Sequence, residues 1–358
     1  QQGPGSNGSG PDFDFETEQY IDYQAQSFYD YPNLNTALFG EQIIYLNENL
    51  SVTPGFRLEH IKTESKGFYK NLDAAGNLLL NETIYNDETR KRSFVLFGVG
   101  TSYKPTEYLE IYNNISQNYR SVTFADISIV NPAYVINPEI TDEKGYNLDF
   151  GIRGVFNKTI SYDISLFRLF YNDRIGFVQK VFQDGNVKSE RGNVGDAVIY
   201  GLESLVDFNL AKLFNFNYDY GASFFVNTSI IDSEYTSSSI NGITGKKVEF
   251  VPNLNFKSGF KFSFKDFSSS IQYTYMSEQF TDASNSIASN LSGVIGVLPS
   301  YDVLDISLSY KYQNLKIETG VNNILDTSYF TRRATGYPGP GIIPSPPKNI
   351  YLTIGLKF

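Results

Sequence analysis

The chain has 358 residues, a formal net charge of −10, no cysteine and one histidine. This composition excludes disulfide frameworks and thiolate metal sites, and a single histidine removes most zinc and Ser-His-Asp chemistry. The acidic balance argues against general nucleic-acid binding, and no run approaches the roughly 18 apolar residues of a membrane helix.

Residues 1–11 are rich in Gly, Ser and Pro and lack both a starting Met and a signal-peptide pattern. We therefore expect the sequence to begin inside a loop of a longer chain. From residue 36 onwards, apolar and polar residues alternate in repeated runs, which is the period of a β-strand with two different faces. The alternation predicts thirteen strands and no long helix. We place the strands at 36–46, 51–66, 92–104, 108–119, 146–156, 160–171, 198–210, 214–230, 250–264, 267–280, 301–312, 315–322 and 349–358, with a hairpin extension at 183–186.

The run from 250 to 264 shows what the two faces of a strand are expected to meet. One face carries four phenylalanines and the other two lysines: Phe256, Phe260, Phe262 and Phe264 against Lys257 and Lys261. We expect the phenylalanine face to contact lipid and the lysine face to line a lumen. The aromatic content of 16% suits the interfacial girdles of a membrane barrel, although Tyr and Phe are also ordinary strand formers.

The connections between the predicted strands alternate between turns of two to four residues and loops of roughly fifteen to twenty-five residues. Outer-membrane barrels follow this rule, with short periplasmic turns and long extracellular loops. Strands of about 9–11 residues also suffice to cross a bilayer at a tilt. Single-chain bacterial barrels have even strand numbers and no open edge. The odd count therefore predicts that upstream strands are missing and that residues 1–358 do not close by themselves.

Five stretches resemble the TonB-dependent outer-membrane receptors and, within them, the ferric dicitrate receptor branch. They are 114–124 (NISQNYRSVTF), 142–154 (DEKGYNLDFGIRG), 193–204 (NVGDAVIYGLES), 320–344 (GVNNILDTSYFTRRATGYPGPGIIP) and 351–358 (YLTIGLKF). The short strand motifs are shared widely among such receptors, whereas TRRATGYPGPG is more specific to the branch. The resemblance implies that residues 1–358 are the C-terminal part, about 13 strands, of an antiparallel transmembrane β-barrel of about 22 strands.

The resemblance also implies partners and a location. A plug, a TonB box and roughly nine strands are expected upstream, and Arg153, which faces inward on its predicted strand, is expected to contact the plug. The implied location is the bacterial outer membrane, spanned many times, in contact with lipid and lipopolysaccharide. Energy is expected from a TonB–ExbB–ExbD complex. The implied cargo is a small iron chelate, above all an iron(III)–citrate complex, with no cofactor, no resident metal, no nucleic acid and no enzymatic activity.

A first group of candidate ligand residues lies in the loop after residue 322. Arg332 and Arg333 stand near Tyr329 and Tyr337, among Gly and Pro residues. The planar guanidinium binds carboxylates in bidentate fashion, which is what an iron–citrate anion offers. The same arginines are compatible with a solvated loop or with pairing to lipopolysaccharide.

A second group lies where strands end on the predicted external side. Counting by twos along 108–119 points Arg120 into the lumen and Gln117 outward, unless a bulge intervenes. Both are candidates for ligand contact for the reason given for the first group. Arg174 and Arg191 follow on the same side of later strands, and we add them to the candidates.

Several functions stay open on the residues alone. A ligand-gated importer, a receptor for another siderophore and a passive porin or substrate channel would all use external arginines. An outer-membrane protease or lipase needs a base beside a nucleophile, and His60 is expected to be a plain strand or rim residue. A soluble adhesin or glycan binder conflicts with outward aromatic stripes, because such a band exposed to water would aggregate.

Overall fold

The computed structural model describes residues 27–72, 78–85, 87–126, 134–181, 187–217, 219–290, 293–334 and 341–357. The alternating pattern folds almost entirely into strands in these ranges. In chain order the strands are β1 (Ser27–Asp30), β2 (Asn33–Glu41), β3 (Ile44–Tyr45), β4 (Leu50–Leu72), β5 (Leu78–Tyr85), β6 (Glu88–Thr106), β7 (Leu109–Arg120), β8 (Tyr134–Ile136), β9 (Glu143–Phe156), β10 (Ile160–Val181), β11 (Val187–Asn209), β12 (Tyr220–Ser237), β13 (Leu254–Phe264), β14 (Phe267–Met276), β15 (Tyr301–Tyr312), β16 (Leu315–Asn322), β17 (Phe330–Ala334), β18 (Gly341–Pro344) and β19 (Asn349–Leu356). A short helix α1 (Leu210–Leu213) and a 3-10 turn at Phe124–Asp126 complete the described elements.

Thirteen of these strands form one continuous antiparallel sheet, in the order β2, β4, β6, β7, β9 to β16 and β19. This arrangement confirms the predicted all-β antiparallel class, and each predicted strand overlaps one of the thirteen. Within the described residues, β2 pairs only with β4, and β19 pairs only with β16. These two strands are therefore the edges of the sheet. The other strands are additions: β1, β3 and β5 pair with β4, β8 runs parallel to β11, and β17 and β18 form a separate hairpin.

One end of the sheet, called the turn end below, carries the short connections. Left-handed residues build several of them, with φ of 47° at Asn157, 58° at Lys158, 50° at Lys265 and 53° at Gln313. Tight hairpins that follow the right-handed twist of a sheet need positive φ at such positions. The short turns of the predicted topology are therefore present at this end.

The connection from β11 to β12 differs from the prediction. The strand expected at 214–230 begins only at Tyr220, because α1 comes first. The side chain of Asn209 accepts the N–H of Lys212 at 3.0 Å and caps this helix. Asn215 then reverses the chain with φ of 55°. Phe214 and Phe216 alternate with asparagines, and this alternation led to the prediction of a strand where the structure has a helix and a turn.

The opposite end, called the loop end, carries the long connections and the buried core. β4, β10 and β11 contain 23, 22 and 23 residues, about twice the 9–11 that cross a bilayer, so half of each projects beyond the crossing segment. The largest buried apolar cluster lies there: Val194, Ala197, Ile199, Tyr235, Ile243, Val248 and Ala283. The prediction made these strands too short. The hairpin tip expected at 183–186 lies outside the described residues, although β10 and β11 pair up to Val181 and Val187.

The two faces of the sheet differ in polarity as the alternation predicts. The outer face exposes apolar side chains such as Phe97 and Leu166, which are 62% and 54% exposed. Phe260 belongs to this face, because the register places it opposite Phe224 and Ile271. The inner face carries the polar side chains, including the lysines of β13. In the described ranges, no helix is long and apolar enough to cross a membrane.

Candidate ligand-binding site

The site is built on an irregularity in β10 at the loop end. Leu166 lies on the outer face of β10 and is largely exposed, so strict alternation would put Arg174 on that face as well. The register between β10 and β11 shifts on both sides of Arg174, and Asp173 has φ of 55°. This bulge turns Arg174 to the inner face, as bulges beside binding sites commonly re-aim a side chain.

Arg174 lines a polar cavity of about 390 Å³ on the inner face. The other lining side chains come from β7, β9 and β10: Asn118, Tyr119, Arg120, Glu143, Asn147, Leu169 and Tyr171. Neighbouring antiparallel strands bring opposite residues onto one face, and Arg120 lies directly opposite Glu143. The structure thus brings two predicted ligand residues, Arg120 and Arg174, into one site.

Arg120 is held by two carboxylates and still reaches the cavity. Its Nη1 donates to Oε1 of Glu143 at 2.7 Å, and its Nη2 lies 3.5 Å from Asp126. Glu143, only 3% exposed, also accepts the backbone N–H of Ile175 at 2.7 Å. The side chain of Arg120 keeps 37% of its surface accessible. It lies on the inner face, in the direction that counting by twos gave.

Arg174 is more enclosed and has fewer direct partners. Its guanidinium lies 5.3 Å from the ring centre of Tyr171, and its Nε is buried without a hydrogen-bond partner among the described residues. Burial pushes the pKa of Arg174 down, but Glu249, Tyr235, Glu143 and Tyr171 together outweigh burial and the net shift is upward. The group therefore stays a cation. A buried cation whose donors are incompletely used is costly alone and favourable beside an anion.

Glu249 is the buried carboxylate near Arg174. It is 3% exposed and accepts the hydroxyl proton of Tyr235 at 2.7 Å. Burial raises the pKa of Glu249, and the charge of Arg174 opposes that rise. The next residue, Phe250, has φ of 61° and is 49% exposed. The chain therefore reverses direction here, and the loop between β12 and β13 is tied to the site.

Asp126 links Arg120 to Arg191. This carboxylate is fully buried and accepts hydrogen bonds from the backbone N–H and the hydroxyl of Thr123 at 2.7 and 2.8 Å. Arg191 forms an ion pair with Asp126 through Nε, and its guanidinium lies 4.9 Å from the ring centre of Phe177. The charge of Arg191 is thus balanced inside the protein, and the residue does not line the cavity.

Three other residues singled out from the sequence lie elsewhere. Gln117 is on the outer side, and its side-chain oxygen accepts the N–H of Phe97 at 2.9 Å. His60 is exposed on β4 and hydrogen bonds to a serine hydroxyl at 2.8 Å. Arg153 faces inward toward the turn end, where it pairs with Glu110 at 2.9 Å.

The predicted loop group lies between β16 and β19 and is separate from the cavity. Arg333 donates three hydrogen bonds, of 2.9, 3.0 and 2.8 Å, to the carbonyls of Gly293, Gly296 and Val297. Arg332 is exposed, with no hydrogen bond or ion pair to a residue that the structure describes. Tyr329 stacks on Tyr301 at 4.5 Å. Tyr337 lies outside the described residues. Arg333 thus orders a neighbouring loop, and Arg332 is the arginine of this group that stays available.

The cavity suits a compact anion with several oxygen acceptors. Two guanidinium groups face it, and Arg120 already balances Glu143. The amides of Asn118 and Asn147 also line it; Nδ2 of Asn118 donates to Oδ1 of Asn147 at 2.6 Å, so only their remaining N–H groups add neutral donors. No three His, Cys, Asp or Glu side chains gather at metal-binding distance in the described ranges. The two asparagines were missed, although alternation from Arg120 places Asn118 on the same face.

Comparisons with known proteins agree with this architecture. A protein-family model described as "TonB dependent receptor-like, beta-barrel" matches residues 2–324. The ferric yersiniabactin uptake receptor FyuA from Yersinia pestis is similar in fold, with a TM-score of 0.71 and 17% identity, over 93% of this chain and 47% of that one. The unliganded ferric citrate transporter FecA gives 0.67 and 18%, over 94% and 56%. The ferric-catecholate import receptor Fiu from K12 E. coli gives 0.69 and 15%, over 92% and 45%. The chain spans about half the length of each of these structures.

Proposed function

Because the chain belongs to the TonB-dependent receptor-like β-barrel family, we propose that it is part of a bacterial outer-membrane receptor for the active uptake of an iron chelate. The chelate we propose is ferric dicitrate, a compact anion rich in carboxylates. The energy comes, in this proposal, from a TonB–ExbB–ExbD complex that acts through an upstream plug.

The observation that carries the proposal is the cavity containing Arg120 and Arg174. Arg174 is a cation with a buried Nε that no described residue satisfies, and Arg120 is partly accessible across the cavity. Charged hydrogen bonds of this kind contribute about 1.5–3 kcal/mol each. A citrate complex presents several carboxylate oxygens, so it uses both guanidinium groups at once.

The solved structures support the class of cargo more than its identity. Their names give ferric yersiniabactin, ferric citrate and ferric catecholate as cargo of those proteins, so an iron chelate is the shared element. The choice of citrate for this chain rests on the arginines of the cavity and on the exposed Arg332.

The test is binding of iron-55 citrate to the full-length receptor that contains this chain, in outer-membrane vesicles. Arg174→Ala is expected to weaken binding about 10- to 150-fold, because one charge-assisted contact is lost. Arg174→Lys is expected to recover only part of the lost binding affinity, because the lysine ammonium is a point charge and lacks the planar fork of a guanidinium group. The matched control is Arg168→Ala, on the same strand, whose guanidinium packs over Phe170; it is expected to bind like the wild type.

Wild-type affinity in Arg174→Ala would show that the cavity is not the binding site. If the wild-type receptor ignores ferric citrate but binds a ferric catecholate or another chelate, the choice of cargo is wrong while the receptor class stands.

A further inference from the structure

The inner face of the sheet has two sections that handle charge differently. On β4, β6, β7 and β9, inner arginines are paired with carboxylates: Arg57 with Glu59, Arg90 with Glu88, Arg92 with Asp142, Arg120 with Glu143 and Arg153 with Glu110. These charges cancel locally. A mobile anion therefore meets little net attraction along this section, apart from the cavity beside Arg174.

The section made by β12, β13 and β14 carries cations without such partners. Lys257 and Lys261 lie on the inner face of β13, and neither forms an ion pair with a residue that the structure describes. Their cross-strand neighbours are neutral and polar: Asn227 and Thr274 beside Lys257, and Ser223 and Ser270 beside Lys261. The acidic residues nearest in register lie one strand further on at either side, Glu203 and Asp207 on β11 and Asp305 on β15.

A third lysine continues this line to the turn end. Lys212, in α1, lines a groove of about 1130 Å³ together with Lys261. Short hydroxyl and amide side chains form most of the groove wall, and Ser270 and Ser307 hydrogen bond to each other there at 2.7 Å. The one carboxylate in the groove lining, Glu318, is paired with Lys316 at 2.7 Å. The groove is thus net positive within a chain of net charge −10.

We propose that Lys257, Lys261 and Lys212 form a lysine track along which an anionic cargo moves from the cavity at Arg174 toward the turn end. The proposal deepens the proposed function and rests on its claim that the cargo is an anion. Lys257 and Lys261 are four residues apart, about 13 Å along the strand, so a hydrated anion passes between them in one short step. Exposed lysines keep their hydration and hold an anion loosely, which favours passage over retention.

The first test measures binding and uptake separately in the full-length receptor. In the double variant Lys257→Gln, Lys261→Gln, binding of iron-55 citrate is expected to stay at the wild-type level while the uptake rate falls about tenfold. Lys257→Arg with Lys261→Arg is expected to retain uptake, because the charge remains. The matched control is Lys180→Gln, which removes a lysine that is paired with Glu190 and does not line the groove.

Three outcomes overturn the track. Unchanged uptake in the double glutamine variant shows that the lysines are not on the path. Lost binding shows that they belong to the ligand site or to the fold. Entry of a large antibiotic such as vancomycin shows that they instead anchor an upstream segment that fills the lumen.

A second test does not depend on which cargo the receptor carries. The chain has no cysteine, so Ser223→Cys, beside Lys261, gives a single thiol in this part of the receptor. An anionic methanethiosulfonate reagent is expected to react about fivefold faster than a cationic one there, because a nearby cation attracts the first and repels the second. Lys257→Gln with Lys261→Gln should remove the preference. Ser161→Cys, on the inner face of β10 directly opposite Asp207, should instead react faster with the cationic reagent.

The same ratio of anionic to cationic reaction rate at Ser223→Cys and at Ser161→Cys would overturn the track. If ferric citrate fails to bind the wild-type receptor but the anionic preference at Ser223→Cys holds, the choice of cargo is wrong and the track stands for another anion.

Discussion

At the scale of single residues, the conformation of Asp173 decides which face Arg174 occupies. Its φ of 55° creates the bulge that turns Arg174 inward. Alternation gave the direction of Arg120 correctly, because no bulge intervenes on β7. Alternation cannot predict the face on which Arg174 lies, because a bulge depends on the fit between two strands. The only local signal is the pair Asn172–Asp173, since these two residue types tolerate left-handed backbone.

Asp173 therefore provides a test that leaves the arginines untouched. Asp173→Val should weaken ferric citrate binding nearly as much as Arg174→Ala, because a β-branched residue disfavours positive φ by about 1–2 kcal/mol and the bulge relaxes. Asp173→Gly should bind like the wild type, since glycine adopts the same conformation freely. Equal affinities for the valine and glycine variants in the iron-55 assay would contradict this role of the bulge.

Glu249 gives a pH prediction. Burial raises its folded-state pKa above the ordinary value of 4.5, so the folded state binds this proton more readily than the unfolded state does. Its contribution to stability is full below about pH 4.5 and declines as pH rises through the folded pKa. Protease cleavage of the 238–253 loop in the wild type, relative to Glu249→Gln, should therefore increase from pH 4 to pH 8. A ratio that is constant or falls with pH would contradict the prediction.

At the scale of elements, Arg333 shows how one side chain orders a loop. Its three hydrogen bonds reach carbonyls of the loop between β14 and β15. Arg333→Ala should lower hydrogen-exchange protection of residues 293–298 by at least tenfold, because each bond from a charged donor contributes about 1.5–3 kcal/mol. Arg332→Ala is the control for the loop and should leave protection unchanged. The same protection in both variants would mean that other contacts hold the loop.

The strands show how far sequence reasoning reaches at this scale. Alternation located all thirteen sheet strands because each has one apolar and one polar face. It misplaced the strand ends where both faces of a strand are buried, because apolar and polar residues no longer alternate there. β10 and β11, for example, continue into the buried cluster around Tyr235. It also missed β1, β8 and the β17–β18 hairpin, because strands of three to five residues are too short to show a period. The eight-residue β5 was missed as well.

At the scale of the whole molecule, the outer face of the sheet should contact lipid and the inner face should contact water. A nitroxide at Phe260→Cys is expected to collide mainly with oxygen, which concentrates in lipid, and one at Lys261→Cys mainly with a water-soluble nickel chelate. Adjacent residues serve as each other's control, since they differ in face and hardly in depth. A label at position 260 that is more accessible to nickel than the label at 261 would contradict the barrel reading of the outer face.

In the proposed function, a ferric chelate binds in the cavity between Arg120 and Arg174. The most direct measurement is the anomalous diffraction of iron from crystals of the full-length receptor grown with ferric citrate. We expect one dominant iron peak beside the guanidinium groups of Arg120 and Arg174, which disappears in crystals of Arg174→Ala. A dominant iron peak elsewhere, for example beside Arg332, or one that persists unchanged in that variant, would contradict it.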